Sequence, residues 1–219
     1  MGYILSRISK EKRIITKEDT RELTLAQFDD NDVMVNDVIH LLTKEEPNPI
    51  TMLDLLKLSL RLHPAVLVPA EMRGKEALTV QEAGRTGHTI VSTLHANSAR
   101  AAYDRILTMC LEAGTSLSEE RLLKNIVEAF PIMLFKMQLP DKSRKYMEIF
   151  EATGVKDGEV TGSTLFKFAV DHYEKDEAGR ITKVVGSHRR MENISYALAE
   201  RLLVNGVELT EIRRFAGSG

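Results

Sequence analysis

The sequence lacks the features that mark secreted, disulfide-stapled and membrane-spanning proteins. Cys110 is the only cysteine among 219 residues, which excludes an internal disulfide and favours a reducing compartment. The longest apolar run, Ala129 to Phe135, contains Pro131. It is far shorter than the ~20 residues of a membrane-spanning helix. The N-terminal residues show no apolar signal segment, so the composition indicates a cytosolic protein.

An excess of one charge is also missing. Thirty Lys and Arg stand against 32 Asp and Glu, there is no tryptophan, and aromatic residues make up 5% of the chain. This balance excludes a chain-wide basic surface, and we predict no direct contact with nucleic acid. The apolar share of 43% is enough for a packed core, and the length fits one large domain or two small ones.

The glycine-rich phosphate-binding motifs are absent. The loop that cradles nucleotide phosphates reads Gly-x-x-x-x-Gly-Lys-[Ser/Thr]. The only Gly-Lys pair is Gly74-Lys75, which is followed by Glu76, and Pro69 stands where the first glycine belongs. No Gly-x-Gly-x-x-Gly dinucleotide fingerprint occurs either.

What is present is an alternation of strand and helix patterns up to about residue 138. The β-branched and apolar runs predict strands, and the apolar residues at helical spacing predict helices between them. Ser116 and Glu119 have the spacing of a capping box and predict the start of the last of these helices. The predicted strands are 13–17, 33–35 with 38–42 as a hairpin, 65–69 and 89–94, and the helices are 51–62, 75–85, 98–113 and 116–130.

After Pro140 the pattern changes to short strands between turn signals. The segments 146–150, 164–170 and 181–185 predict an antiparallel meander, which 193–205 and 208–215 close as helices. We therefore predict an α/β fold in two parts. Residues 1–138 form a core with a parallel sheet, and residues 139–219 form a β-meander with helices that packs on the same domain.

Acidic and imidazole side chains follow successive strands of the predicted parallel sheet. Glu18 and Glu22 follow the first strand, Glu71 comes two residues after the strand at 65–69, and His95 follows the strand at 89–94. Ligands of open parallel sheets bind beyond the carboxyl ends of the strands. Carboxylates there can hold Mg²⁺ or orient a water, and an imidazole can donate to developing charge. A single such acid is more often a solvated loop residue or a helix cap, but the three segments together favour a functional edge.

Other chemically interesting residues have simpler readings. His88 and His95 lack the helical spacing of a zinc pair, and no cysteine or acid completes a zinc set. Cys110 lies on an apolar helix face and reads as a buried small hydrophobe. Arg100 is either a surface charge or a phosphate ligand, and its spacing does not decide between the two.

Three segments in order resemble the type II/type IV secretion ATPases, and in particular their CpaF-like, tight-adherence and conjugation branch. The stretch 14–25, IITKEDTRELTL, resembles the Asp box of that family. The stretch 58–78 resembles its Walker B segment, in which an apolar strand runs into Glu-x-Arg-Gly, and 84–106 resembles its His box with the following helix.

The resemblance implies a RecA-like ATPase core and a set of roles. Members of the family hydrolyse ATP with Mg²⁺ in homohexamers at the cytoplasmic face of the inner or plasma membrane. They work with secretion-platform proteins in secretion, pilus assembly or conjugal transfer.

By this resemblance Glu71 is the Walker B acid, near Mg²⁺ or the attacking water. Glu18, Asp19 and Glu22 form the Asp box, with Glu18 near the metal. His95, with His88 and Thr93, forms the His box, which senses the γ-phosphate. Arg73 contacts phosphate or holds the subunit interface, and Arg100 stays a candidate nucleotide contact.

Two departures from the family pattern bear on function. The family usually has glycine before the Walker B glutamate, where this chain has Pro69-Ala70. The family's Walker A lysine lies upstream of the Asp box, before the first residues of this sequence. We therefore expect a C-terminal piece of a longer ATPase that is inactive alone. The alternative is a truncated, non-catalytic module that associates with a full-length ATPase, and a RecA-like DNA-binding protein ranks last.

Overall fold

The computed structural model describes residues 1–217 and divides the chain into two compact units. The first unit comprises residues 1–96 and 103–130, and the second comprises 97–102 with the chain from Pro131 onward. The second unit thus begins before the predicted boundary at residue 138. That the two parts pack on one another stays a prediction.

A four-stranded, all-parallel sheet forms the centre of the first unit. Its strands are β1 (Ile14–Glu18), β2 (Val38–Leu42), β3 (Val66–Pro69) and β4 (Thr89–Ile90), in the order β2-β1-β3-β4. The helices of this part of the chain are α1 (Gly2–Leu5), α2 (Met52–Ser59), α3 (Glu76–Arg85), α4 (Ala99–Glu112) and α5 (Glu119–Ala129), of which α4 begins in the second unit.

Local sequence signals explain where several of these elements begin and end. Thr51 and Asp54 form a capping box at the start of α2, as the sequence predicts. Pro69, which has no amide hydrogen, is the last residue of β3. The last helix of the unit is capped by Ser118, not Ser116, because the Ser118 side chain accepts a hydrogen bond from the amide of Arg121.

The predicted hairpin around Asn36 and Asp37 is wrong. Strand β2 pairs in parallel with β1, in a register that sets Thr16 opposite His40. Residues 33–35 form no strand, and only a single bridge joins Met34 to Phe28. The partner of β2 is instead β1, which lies upstream of residues 19–37 in the chain.

Strand β1 is buried along its whole length, which places polar groups inside the unit. Ile14 packs in a core with Val38, Val66 and Val68. Lys17 is 0% exposed, and its Nζ donates to the hydroxyl of Ser59 on α2 at 3.2 Å. Burial lowers the pKa of Lys17 from 10.5 to about 7.

An antiparallel sheet forms the second unit, as predicted, although its strands are longer and more numerous than expected. It runs β5-β6-β7-β8, with β5 (Ile132–Gln138), β6 (Arg144–Lys156), β7 (Glu159–Lys175) and β8 (Ile181–Arg190), followed by α6 (Tyr196–Val204) and α7 (Leu209–Arg213). Gly162 and Gly186 leave room for the neighbouring rings of Phe150 and Phe168. No helix among residues 1–217 is long and apolar enough to span a membrane.

Candidate functional site

The carboxyl ends of β1, β3 and β4 meet at one edge of the parallel sheet. Strand β3 lies between β1 and β4, and its ladder to β4 extends beyond the named strands. Glu71 bridges Thr93 in parallel, and the amide of Met72 donates to the carbonyl of Thr93 at 2.8 Å. The chain after β3 is thereby held beside the chain after β4, which brings Glu71 next to the His95 segment.

Four side chains converge at this edge: Asp19, Glu71, Arg73 and His95. The guanidinium of Arg73 pairs with Asp19, and its Nε lies 3.8 Å from Glu71 Oε2. On the other side, His95 Nε2 lies 3.4 Å from Glu71 Oε1. Glu71 is 34% exposed and His95 98%, so the group faces solvent and a ligand can reach it.

The carboxylate of Glu76 holds the turn that follows Glu71 by accepting backbone amides of that turn. One oxygen of Glu76 accepts the amides of Arg73 at 2.7 Å and Gly74 at 3.0 Å, at the start of α3. Pro69-Ala70 does not interrupt the sheet, because the amide of Ala70 donates to the carbonyl of Lys17 at 2.9 Å. The departure from the family's glycine therefore leaves Glu71 in sheet-like pairing with Thr93.

Glu18 has a different environment from the other acids. It is 1% exposed, and its Oε1 accepts the amides of Glu22 at 3.0 Å and Leu23 at 2.9 Å. Its Oε2 accepts from the hydroxyl of Thr16 at 3.2 Å. Glu22 contributes its backbone amide, and its side chain is exposed. The carboxylate of Glu18 therefore orders the loop that follows β1 and presents no open ligand position.

Two predicted residues, His88 and Arg100, are not among these four side chains. His88 precedes β4, and because β3 and β4 are parallel with Val66 opposite Thr89, it lies at the amino edge of the sheet, opposite to Glu71. Arg100 belongs to the second unit, where its guanidinium donates to the carbonyl of Val160 at 2.8 Å and stacks 4.5 Å from the Phe150 ring centroid. Thr93 is at the edge, and its hydroxyl donates to the carbonyl of Ala70.

Sequence reasoning missed the residues that β2 contributes. The hydroxyl of Thr43, just after β2, donates to Asp19 at 2.9 Å, and His40 lies against Thr16 and Glu18. Burial lowers the pKa of His40, and the positive charge of Arg21 adds to this effect. To find these residues from the sequence, one would have needed the correct pairing register of β2 with β1.

The donor set at the edge suits a magnesium–phosphate ligand better than a metal held by protein alone. Among residues 1–217 no three His, Cys, Asp or Glu side chains are grouped as a metal site. Mg²⁺ usually takes one or two carboxylates and completes its shell with waters and phosphate oxygens. Asp19 and Glu71 can supply those carboxylates, directly or through water, and Glu18 supports them from the interior.

The model of the type II/IV secretion system protein family matches residues 2–139. PtlH, a type IV secretion system protein of Bordetella pertussis, is 36% identical over 117 residues, which are 51% of this chain and 32% of PtlH. VirB11 of Brucella suis is 32% identical over 139 residues, covering 58% of this chain and 37% of VirB11. The matched part thus spans about a third of these relatives.

Two solved structures are similar in fold to this chain. The VirB11 ATPase from the Brucella suis type IV secretion system, in complex with sulphate, superposes with a TM-score of 0.58 at 23% identity, over 68% of this chain and 45% of that one. The pilus retraction motor PilT with bound ADP gives 0.50 at 23% identity, over 74% and 39%. These likenesses confirm the predicted α/β, RecA-like fold class.

Proposed function

The chain belongs to the type II/IV secretion system protein family, and from that premise we propose that it carries the catalytic edge of an ATP-hydrolysing motor for secretion, pilus assembly or conjugal transfer. The observation that carries the proposal is the convergence of Asp19, Glu71, Arg73 and His95 at the carboxyl edge of the parallel sheet. That is where ligands of such sheets bind.

Each of the four side chains has a role that its position supports. Glu71 orients the attacking water, and His95, whose Nε2 lies 3.4 Å from Glu71 Oε1, responds to the terminal phosphate. Asp19 and Glu71 would hold Mg²⁺, which would neutralise charge on the phosphates. Glu18 takes a positioning role in place of a ligand role, because its oxygens are engaged inside the unit.

Arg73 is the residue best placed to bind a phosphate of the nucleotide. Its pair with Asp19 is exposed, with Arg73 60% and Asp19 46% accessible, and exposed pairs contribute only about 0–1 kcal/mol. A guanidinium binds phosphate through paired, charge-assisted hydrogen bonds. Exchange of Asp19 for a phosphate oxygen therefore costs little, and it would free Asp19 for the metal.

We further propose that these 219 residues turn over ATP poorly on their own. The edge carries two carboxylates and one guanidinium, so a polyphosphate meets a net negative site. The sequence has no Gly-x-x-x-x-Gly-Lys-[Ser/Thr] loop to supply backbone amides and a lysine. In the motor this edge completes a site with such a loop, in a homohexamer at the cytoplasmic face of the inner or plasma membrane, beside secretion-platform proteins. The CpaF-like branch is part of the same proposal.

The net negative charge of the edge, two carboxylates against one guanidinium, favours one second candidate, a non-catalytic module that associates with a full-length ATPase of the same family. It differs from the motor in its prediction for nucleotide. A module that works only through association has no reason to bind MgATP at the Asp19–Glu71–Arg73 edge.

Ligand-observed NMR with millimolar MgATP, run beside a phosphate-release assay, tests the proposal. We expect weak binding that Arg73→Gln reduces. The matched control is Arg85→Gln, because Arg85 pairs with Glu128 in the same unit at 2.8 Å. This variant should leave the binding of MgATP unchanged. Absence of binding contradicts the nucleotide site, and ATP turnover abolished by Glu71→Gln contradicts the proposed inactivity.

A further inference from the structure

A buried polar chain of three side chains lies behind the exposed site, on the neighbouring strands β1 and β2. The parallel register sets Thr16 directly opposite His40, on the same face as Glu18. The hydroxyl of Thr16 lies 2.8 Å from His40 Nδ1 and 3.2 Å from Glu18 Oε2. The direct distance from His40 Nδ1 to Glu18 Oε2 is 3.7 Å, so Thr16 is the link between the two.

The direction of the hydrogen bonds follows from what each group can donate. A carboxylate only accepts, and a hydroxyl has a single proton to give. The Thr16 hydroxyl therefore donates to Glu18 and accepts from His40, which requires the proton of His40 on Nδ1. No partner for Nε2 lies among residues 1–217. This fits the same tautomer, because a buried acceptor without a partner is better tolerated than a buried N–H.

The other oxygen of Glu18 holds the loop that leads into the site. It accepts the amides of Glu22 and Leu23, and this closes the chain just after Asp19 into a compact turn. Asp19, the residue between Glu18 and that turn, pairs with Arg73. A rotation of the Glu18 carboxylate would therefore shift Asp19, whose side chain pairs with Arg73.

We propose that His40 and Thr16 are positioning residues, which fix the orientation of the Glu18 carboxylate and through it the loop that presents Asp19 to Arg73. The inference rests on the proposed function for the meaning of Asp19 and Arg73. Its own content is the directed chain from His40 Nδ1–H through the Thr16 hydroxyl to Glu18 Oε2. The proposal assigns strand β2, through His40, a role in positioning the residues of the site.

The ¹⁵N resonances of the histidine rings test the direction of this chain. The signals of His40 are those lost in His40→Asn, among the six histidines of the protein. We expect the Nδ1–H tautomer of His40 in the wild type and a shift towards Nε2–H in Thr16→Val, where Nδ1 loses its acceptor. An Nε2–H tautomer of His40 in the wild type overturns the proposal.

Amide exchange at Glu22 and Leu23 tests the consequence for the loop. Thr16→Val, which removes the hydroxyl at nearly constant volume, should speed exchange at both amides by about tenfold, since Glu18 loses one hydrogen bond. Thr16→Ser restores the hydroxyl and should restore slow exchange. The matched control for the tautomer measurement is Thr43→Val, which removes the hydroxyl that donates to Asp19. This variant should leave the tautomer of His40 unchanged.

The two NMR measurements are independent of nucleotide. Unchanged exchange at Glu22 and Leu23 in Thr16→Val overturns the positioning role even if MgATP binds at the edge. Conversely, a failure of MgATP to bind overturns the proposed function and leaves the hydrogen-bond chain standing.

Discussion

The buried lysine of β1 gives the most quantitative prediction. Lys17 is fully buried, and the hydroxyl of Ser59 is its one hydrogen-bond partner found in the described part of the chain. Burial lowers its pKa from 10.5 to about 7. At about 1.4 kcal/mol for each pH unit, the charged ammonium costs the folded state about 5 kcal/mol. Lys17→Met keeps a long apolar side chain and removes that charge.

The sign of the pH dependence follows from proton binding in the two states. Between about pH 7 and 10.5 the unfolded chain holds a proton on Lys17 that the folded chain has lost, so stability rises with pH in this window. We expect a gain of about 2 kcal/mol for the wild type between pH 7 and 9. Burial raises the pKa of Cys110 from 9.0 to about 12, which works in the opposite direction above pH 9 and sets the upper limit of the test.

Urea unfolding followed by far-UV circular dichroism measures the effect. At pH 7 Lys17→Met should be more stable than the wild type by about 2–4 kcal/mol, and its stability should not rise between pH 7 and 9. Lys12→Met, at an exposed lysine in the same unit, should behave like the wild type. Parallel stabilities of wild type and Lys17→Met across this range, or a less stable variant at pH 7, would refute the reasoning.

Two further predictions concern packing. Gly162→Ala should destabilise the second unit by about 1–3 kcal/mol in thermal unfolding, because a Cβ there would overlap the carbonyl oxygen of Glu151. Gly154→Ala meets its first neighbour at 3.4 Å and should cost less, and equal effects of the two variants would count against the crowding argument. Cys110, fully buried, should react with a thiol reagent only slowly in the native protein and promptly in urea; rapid stoichiometric labelling without denaturant would contradict its burial.

Features that depend on a residue and its near neighbours could be predicted from the sequence. Thr51 caps α2 and Pro69 ends β3 because both effects depend on a residue and its immediate neighbours. The apolar run of β3 next to Glu71 likewise indicated a buried parallel strand with an acid at its carboxyl end. These signals were enough to predict Glu71 and His95 on one edge of a sheet, whereas Asp19 was named only through the family resemblance.

Pairing over long stretches of sequence was not readable in the same way. The partner of β2 is β1, across residues 19–37, and a nearby turn signal at Asn36-Asp37 suggested a hairpin instead. The roles of Thr16 and His40 depend on that register, so the buried chain behind the site stayed hidden. Strand β5 was not predicted, because its residues directly follow Pro131 at the end of an apolar helix pattern.

The central claim is that the edge formed by Asp19, Glu71 and Thr93 is a site for a metal–nucleotide complex. Paramagnetic line broadening of the ¹⁵N-labelled protein by MnATP maps that site directly, with MgATP as the diamagnetic reference and free Mn²⁺ as the control. We predict that MnATP broadens the amides of these three residues more strongly than the amide of His88 at the amino edge of the same sheet. Broadening confined to other parts of the chain, or a pattern identical to that of free Mn²⁺, would contradict the account.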